Sequence, residues 1–177
     1  HQKIAVSLDT NSIVFLLSLI YHLNYSSDMR AEEIFDYYKQ FDQRFGLPHK
    51  DKWKPFAQPK VPKNKLKIGY VSPDFRNHTM GPFLSCILSC HNHEKFEIFA
   101  FAELQNEDKV SQEYKSLVDH WIRTEKMTDD ELAQKIRELE IDILVDLAGH
   151  TVSSRLGVFT QKPAPVSLSW FIGYNYT

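Results

Sequence analysis

From Leu66 onward, short apolar runs alternate with stretches of helical period. LKIGYV (Leu66–Val71), FEIFAFA (Phe96–Ala102), a short run around Trp121, IDILVDL (Ile141–Leu147) and PVSLSWFIG (Pro165–Gly173) read as five strands. Helices are predicted between them over Phe83–His91 and Val110–Val118, and a third opens at Thr128. There Thr128 and Glu131 make a T-x-x-E capping box, and Leu132, Ile136 and Leu139 repeat at helical spacing. Strands alternating with helices of this length call for right-handed βαβ crossovers, hence a parallel sheet covered on both faces. The predicted fold class is α/β: a doubly wound, Rossmann-like sheet preceded by a small helical segment.

That helical segment has a different texture. The pattern predicts one helix from Asp9 to Leu23, capped by Asp9, Thr10 or Asn11. A second runs from Met29 to Phe45, with Ser26 or Ser27 before it, Ile34, Tyr37, Tyr38 and Phe41 as its apolar positions, and Gly46 as its stop. Together they form a hairpin. Leu47 to Asn64 carries four prolines among lysines and aromatics and reads as an extended surface connector with a boundary near Val61. The expected organisation is residues 1–46 helical, 47–64 connector and 65–177 Rossmann-like lobe. The longest apolar run, Ser12 to Tyr21, is too short to cross a bilayer and is taken as a core helix, so no membrane partner is expected.

Composition narrows the function classes. A formal charge of −2 over 177 residues and a pI near 6.5 leave no basic footprint, so nucleic acid is not an expected partner. Cys86 and Cys90, four apart in a helical pattern, are poorly placed for an ordinary disulfide and read as packing residues of a reduced, cytoplasmic chain. With His91 and His93 they spell C-x3-C-H-x-H, which fits no common zinc spacing, and no metal is expected. The chain starts at His1 and stops just after a strand-like segment, as a piece of something longer would.

The chemistry concentrates where strands end. In a doubly wound sheet ligands bind beyond the carboxyl ends of the strands, where the strand order reverses. With the order 3-2-1-4-5 that reversal lies between strands one and four. The loops leaving them, SPDFRNHTMGP and AGHTVSSR, would then bring His78 and His150 to one crevice. His78 is the leading candidate: a neutral imidazole can take a proton from an attacking hydroxyl, with Asp74 to orient it. The alternative reading has Asp74, Asn77 and Thr79 cap the following helix and satisfy a tight loop. His150 either lines the cleft or bonds locally beside Gly149, and Arg155 is either an anion contact or a solvated charge. Gly81 either lets exposed backbone amides approach an anion or, as the favoured reading, eases the turn into a helix, and no phosphate-loop or dinucleotide signature is present.

Taken together, LKIGYVSPDFRNHTMGPF, IDILVDLAGHT and KPAPVSLSWFIGY resemble the catalytic region of protein O-linked N-acetylglucosaminyltransferases and of the similar SPINDLY-type O-fucosyltransferases, from about Leu66 to the C-terminus. The hairpin is similar to the segment that joins the family's tetratricopeptide repeats to that region. The resemblance implies the N-terminal, acceptor-side lobe of a GT-B glycosyltransferase, inactive without its other half. The implied reaction is inverting transfer of N-acetylglucosamine from UDP-GlcNAc, or of fucose from GDP-fucose, to Ser or Thr of a protein acceptor. The UDP- or GDP-sugar would be a substrate held mainly by a C-terminal lobe, with no cofactor and no metal. By the same resemblance Asp74, Asn77 and His78 match the family's D-F-x-N-H loop, with His78 as base and Asp74 as its support or proton relay. Asn77, Thr79, His150 and Arg155 are the substrate-binding candidates, and His22 is the nearest counterpart of a histidine the family draws from its helical segment. The chain departs from the family pattern at Thr79 and Pro82, and at Asn175 and Tyr176 within Gly173–Thr177. A different class, a Rossmann-like interaction module without catalysis, is the competing expectation.

Overall fold

The computed structural model describes residue 9 and residues 11–51, 53–56 and 63–170. Thr10 as a cap, the boundary near Val61 and the segment Gly173–Thr177 fall outside the described residues. Two helices lead, α1 (Ile13–Leu23) and α2 (Ala31–Phe41). Ser12 is the cap of α1, its hydroxyl accepting from the Phe15 amide at 3.3 Å, whereas Asp9, Thr10 or Asn11 was predicted. Gly46 does not stop the second helix. The chain continues through a wide π-turn, Asp42–Gly46, into the short α3 (Leu47–Lys50), because Gly46 keeps a right-handed φ of −81° and Pro48 falls in the first turn of α3, where its missing N–H costs nothing. The start of the predicted connector is therefore helical.

The lobe runs β1 (Leu66–Ser72), α4 (Gly81–Ser89), β2 (Phe96–Ala102), α5 (Lys109–Ser116), β3 (His120–Arg123), α6 (Asp129–Glu138), β4 (Ile143–Asp146), α7 (Leu156–Phe159) and β5 (Val166–Ser169). The five strands are all parallel, as predicted, and their order is β3-β2-β1-β4-β5, the one on which the placement of the two polar loops was premised. The Thr128–Glu131 capping box opens α6, Thr128 Oγ1 accepting from the Glu131 amide at 3.2 Å and Glu131 Oε2 accepting from the Thr128 amide at 2.8 Å.

Strand alternation divides the core in two. Ile68, Tyr70, Ile98, Ala100 and Val145 pack under α4 and α5 with Leu84, Leu88 and Tyr114. Val71, Phe99, Phe101 and Leu144 pack under α6 and α7 with Leu132, Ile136 and Val158. Gly69 is required by close approach: a Cβ there would lie 2.8 Å from the Phe101 ring and 3.1 Å from Leu144. The hairpin has its own apolar cluster, Leu16, Ile20, Tyr38 and Phe41 among it, and this cluster extends onto Leu156 and Phe159 of the lobe. Among the described residues no helix is long and apolar enough to cross a membrane.

Candidate active site

The loop after β1 is held from inside. Phe75 is fully buried, its ring edge-on to Tyr114 at 5.8 Å and tilted against Trp121 at 5.5 Å. The Ser72 hydroxyl accepts from the Asp74 amide at 3.0 Å. With Phe75 turned into the core, Asp74 and His78 come together, Asp74 Oδ1 lying 3.6 Å from His78 Nε2, with Arg76 Nη2 at 3.7 Å from the same oxygen. Asp74 is 8 % exposed, and burial pushes its carboxyl above the usual value against the pull of His78 and then Arg76. The His78 side chain is 32 % exposed. Its Nδ1 accepts a long bond, 3.4 Å, from the Met80 amide, which assigns the proton of the neutral ring to Nε2, facing Asp74.

The loop after β4 has the same spacing of acid and histidine but another construction. Asp146 Oδ1 accepts from the Ala148 amide at 3.0 Å, and Oδ2 accepts from the Gly149 amide at 2.9 Å and the Ser169 hydroxyl at 2.9 Å. Burial pushes the Asp146 carboxyl up, and these three donors oppose it. Gly149 takes φ +54°. His150 is 1 % exposed, its ring edge-on to Tyr38 at 4.8 Å and to Phe41 at 5.2 Å, under the helical hairpin.

Of the predicted site residues, the structure gathers Asp74, Asn77, His78 and Thr79 on one loop, with Asn77 and Thr79 exposed. It does not bring His150 to an open crevice; the hairpin aromatics enclose that ring. Arg155 is neither an anion contact nor a solvated charge. It donates from Nε to Asp129 at 2.7 Å, from Nη1 to Glu103 at 2.6 Å and to the Thr124 carbonyl at 3.2 Å, and from Nη2 to the Met127 carbonyl at 2.8 Å. That buried network ties together the loops after β2, β3 and β4. The cap position of α4 is Met80, with no side-chain cap bond, so the helix-cap half of the alternative reading does not hold. Cys86 and Cys90 are free and exposed rather than packed in the core. His91 pairs with the Tyr70 hydroxyl at 2.8 Å, and burial raises that phenol to about 12. His22 bonds the Ser18 carbonyl of its own helix at 2.7 Å.

A cleft of about 920 Å³ opens between the hairpin and the β4–β5 edge, lined by Tyr38, Phe41, Trp53, Asp146, Phe159 and Ser169 among others. Asp74 and His78 are not among its lining residues. The groups that sequence reasoning missed are Asp146, which shapes the second loop and faces this cleft, and Asp108, whose Oδ2 accepts from the Asn77 amide at 2.7 Å. Two signals were present: D-x-x-x-H occurs at Asp74–His78 and again at Asp146–His150, and Asp108–Ser111 has the D-x-x-S form of a helix start.

The profile of glycosyl transferase family 41 matches residues 18–177. Among curated proteins, the chain is 29 % identical over 159 residues to a probable UDP-N-acetylglucosamine–peptide N-acetylglucosaminyltransferase SPINDLY of Arabidopsis thaliana, and 30 % identical over 159 residues to its Hordeum vulgare namesake; each match covers 88 % of this chain and 17 % of the relative. A probable enzyme of the same description named SEC, from Arabidopsis thaliana, is 33 % identical over 135 residues, covering 72 % of this chain and 13 % of the relative. Among solved structures, a mutant of the Thermobaculum terrenum O-GlcNAc transferase superposes with a TM-score of 0.86 at 29 % identity, covering 96 % of this chain and 32 % of that one. This chain thus spans about a sixth of the length of the SPINDLY relatives.

Proposed function

Since the chain belongs to glycosyltransferase family 41, we propose that it is the acceptor-side lobe of an inverting protein O-glycosyltransferase that moves N-acetylglucosamine from UDP-GlcNAc to serine or threonine hydroxyls. The observation that carries this reading is the pairing of a part-exposed His78 with a buried Asp74 at 3.6 Å, beyond the carboxyl end of β1 and beside the reversal of strand order.

The chemistry follows from that pair. The acceptor oxygen forms a bond to the anomeric carbon while the bond from that carbon to the nucleotide diphosphate breaks, and the diphosphate departs with the electron pair. The hydroxyl proton goes to His78 Nδ1, the nitrogen whose lone pair, among the described residues, is engaged by the long Met80 amide contact alone. The imidazolium so formed keeps Nε2–H toward Asp74, whose carboxylate stabilises the new charge much as an aspartate does in a hydrolytic triad. A neutral ring returns once the proton is passed to water. The nucleotide sugar is assigned mainly to parts of the enzyme outside this chain.

The test is transfer by the full-length protein to a panel of serine- and threonine-containing peptides, with UDP-GlcNAc and GDP-fucose as alternative donors, repeated with His78→Ala. Transfer from UDP-GlcNAc is expected, falling about 10²- to 10⁴-fold in the variant while its melting temperature stays near wild type. Transfer from GDP-fucose alone would replace the donor and keep the mechanism. A wild type idle with both donors, beside a family member active on the same panel, would overturn the enzyme reading in favour of an interaction module.

A further inference from the structure

One face of α5 grips the His78 loop. Asp108, Ser111 and Tyr114 recur at three-residue spacing, so they project from one side of the helix start and its first turns. Each reaches a different backbone group of the stretch from the β1 loop to the first residue of α4. Asp108 Oδ2 accepts from the Asn77 amide at 2.7 Å. The Ser111 hydroxyl donates to the Phe75 carbonyl at 2.8 Å. The Tyr114 hydroxyl donates to the Gly81 carbonyl at 3.3 Å. The three anchor points, 75, 77 and 81, bracket His78 on both sides. Ser111 and Tyr114 are fully buried, and the Tyr114 ring also supports Phe75.

Helix capping alone does not need this arrangement. The N-cap role of Asp108 uses one carboxylate oxygen, Oδ1, which accepts from the Ser111 amide at 2.9 Å. The other oxygen is spent on a backbone amide 31 residues away in sequence. We propose that Asp108, with Ser111 and Tyr114 behind it, is a positioning residue of the transfer reaction: its second oxygen fixes the Asn77 peptide and so aims the His78 ring at the acceptor hydroxyl. This rests on His78 being the base, as argued above. The carboxyl of Asp108 is held below its usual value first by the Asn77 amide and then by Ser111, so it stays ionised and keeps both oxygens as acceptors throughout the neutral range.

The two oxygens separate the cap from the clamp. Asn and Ser cap helices about as well as Asp, yet each offers a single oxygen. In Asp108→Asn the amide nitrogen would meet the Asn77 N–H donor to donor; in Asp108→Ser nothing reaches it. Three readouts on the full-length protein decide the matter: melting temperature, amide hydrogen exchange of the peptide spanning the β1 loop, and the split between kcat and KM. Both variants are expected to melt within about 2 °C of wild type, to exchange the loop amide about tenfold faster or more, and to lose about 10- to 100-fold in kcat with KM for the sugar nucleotide little changed. Tyr114→Phe, which keeps the ring and drops only the hydroxyl, should give a smaller loss of kcat of the same kind. Wild-type kcat in Asp108→Asn would overturn the proposal, as would a fall in activity matched by a fall in melting temperature, which is the signature of a cap and nothing more. A wild type without transfer would overturn the enzyme reading and this proposal with it, and is told apart because it needs no variant.

Discussion

The loops after β1 and β4 leave the sheet side by side at the reversal of strand order, and each carries an aspartate followed four residues later by a histidine. Their fates diverge. In the first, Asp74 spends no side-chain oxygen on backbone donors among the contacts described and faces His78 across 3.6 Å. In the second, Asp146 spends both oxygens on Ala148, Gly149 and Ser169, and His150 is roofed by Tyr38 and Phe41. One motif leaves its histidine part-exposed and facing its aspartate, and the other is consumed in building the loop. What separates them is the covering element: the hairpin lies over the second loop and leaves the first open. A histidine at a switch point is thus a candidate by topology, and it stays one only where its aspartate is free to face it and no other element covers the ring.

The comparison is broken most forcefully at the histidines. His150→Ala removes a buried ring from an aromatic pocket and should cost about 2–4 kcal/mol, seen as a fall in melting temperature of roughly 5–15 °C. Below that temperature, transfer by the full-length protein should largely survive. His78→Ala should show the opposite pattern, large in kcat and small in stability. If His150→Ala lost kcat at an unchanged melting temperature, the two loops would share the chemistry after all.

The aspartates sharpen the same contrast and bring in pH. Burial raises the folded-state value of both carboxyls, so each contributes stability that is fully present below the unfolded value near 3.9 and is lost as pH rises through the folded value. Asp74→Asn removes that loss without removing a backbone acceptor. The variant should match wild type at acid pH and gain on it by up to about 1 kcal/mol toward neutrality, while transfer falls. Asp146→Asn keeps one acceptor oxygen where two served three donors, and should be less stable by about 1–3 kcal/mol, the deficit narrowing as pH rises and the wild-type carboxylate pays its desolvation. Chemical denaturation of both variants between acid and neutral pH reads these slopes. A deficit in Asp74→Asn that widens with pH would mean that its carboxylate is stabilised by His78 and Arg76 more than burial opposes it.

Much of this arrangement was legible in the sequence where the signal is local. Strand period gave the parallel sheet and the Thr128–Glu131 box gave the start of α6, while the strand order was a premise that the sheet matches, and it is this order that sets the polar loop after β1 beside the reversal. The errors came where a distant element decides. Nothing within AGHTVSSR tells that Tyr38 and Phe41, more than a hundred residues earlier, close over His150. Arg155 reads as a solvated or ligand-binding charge until Glu103 and Asp129 arrive from two other loops. Gly46 carries the composition of a helix stop, yet it keeps a right-handed φ of −81° and Pro48 sits in the first turn of the next helix, so the chain goes on winding. The clamp by Asp108 was half legible: its spacing to Ser111 announces a cap, while the use of its second oxygen depends on how β1 and β2 lie in the sheet.

The smallest test concerns the glycines that follow the two strands. Gly149 takes φ +54° with open space where a Cβ would be, so Gly149→Ala meets no neighbour and bears only the backbone cost of the left-handed region, about 1–2 kcal/mol. Gly81 opens α4 in ordinary helical geometry, and a Cβ there would find only the Tyr114 hydroxyl, at 3.4 Å. Gly81→Ala should therefore change stability by no more than about 0.5 kcal/mol, and alanine's better helix propensity acts in its favour. The pair measures how each loop turns: the loop after β4 depends on a backbone conformation that alanine resists, while the loop after β1 is shaped by side-chain anchors at 75, 77 and 81. Equal melting temperatures for the two variants would mean that the turn at Gly149 relaxes at no cost, and that Asp146, rather than the glycine, holds the second loop in shape.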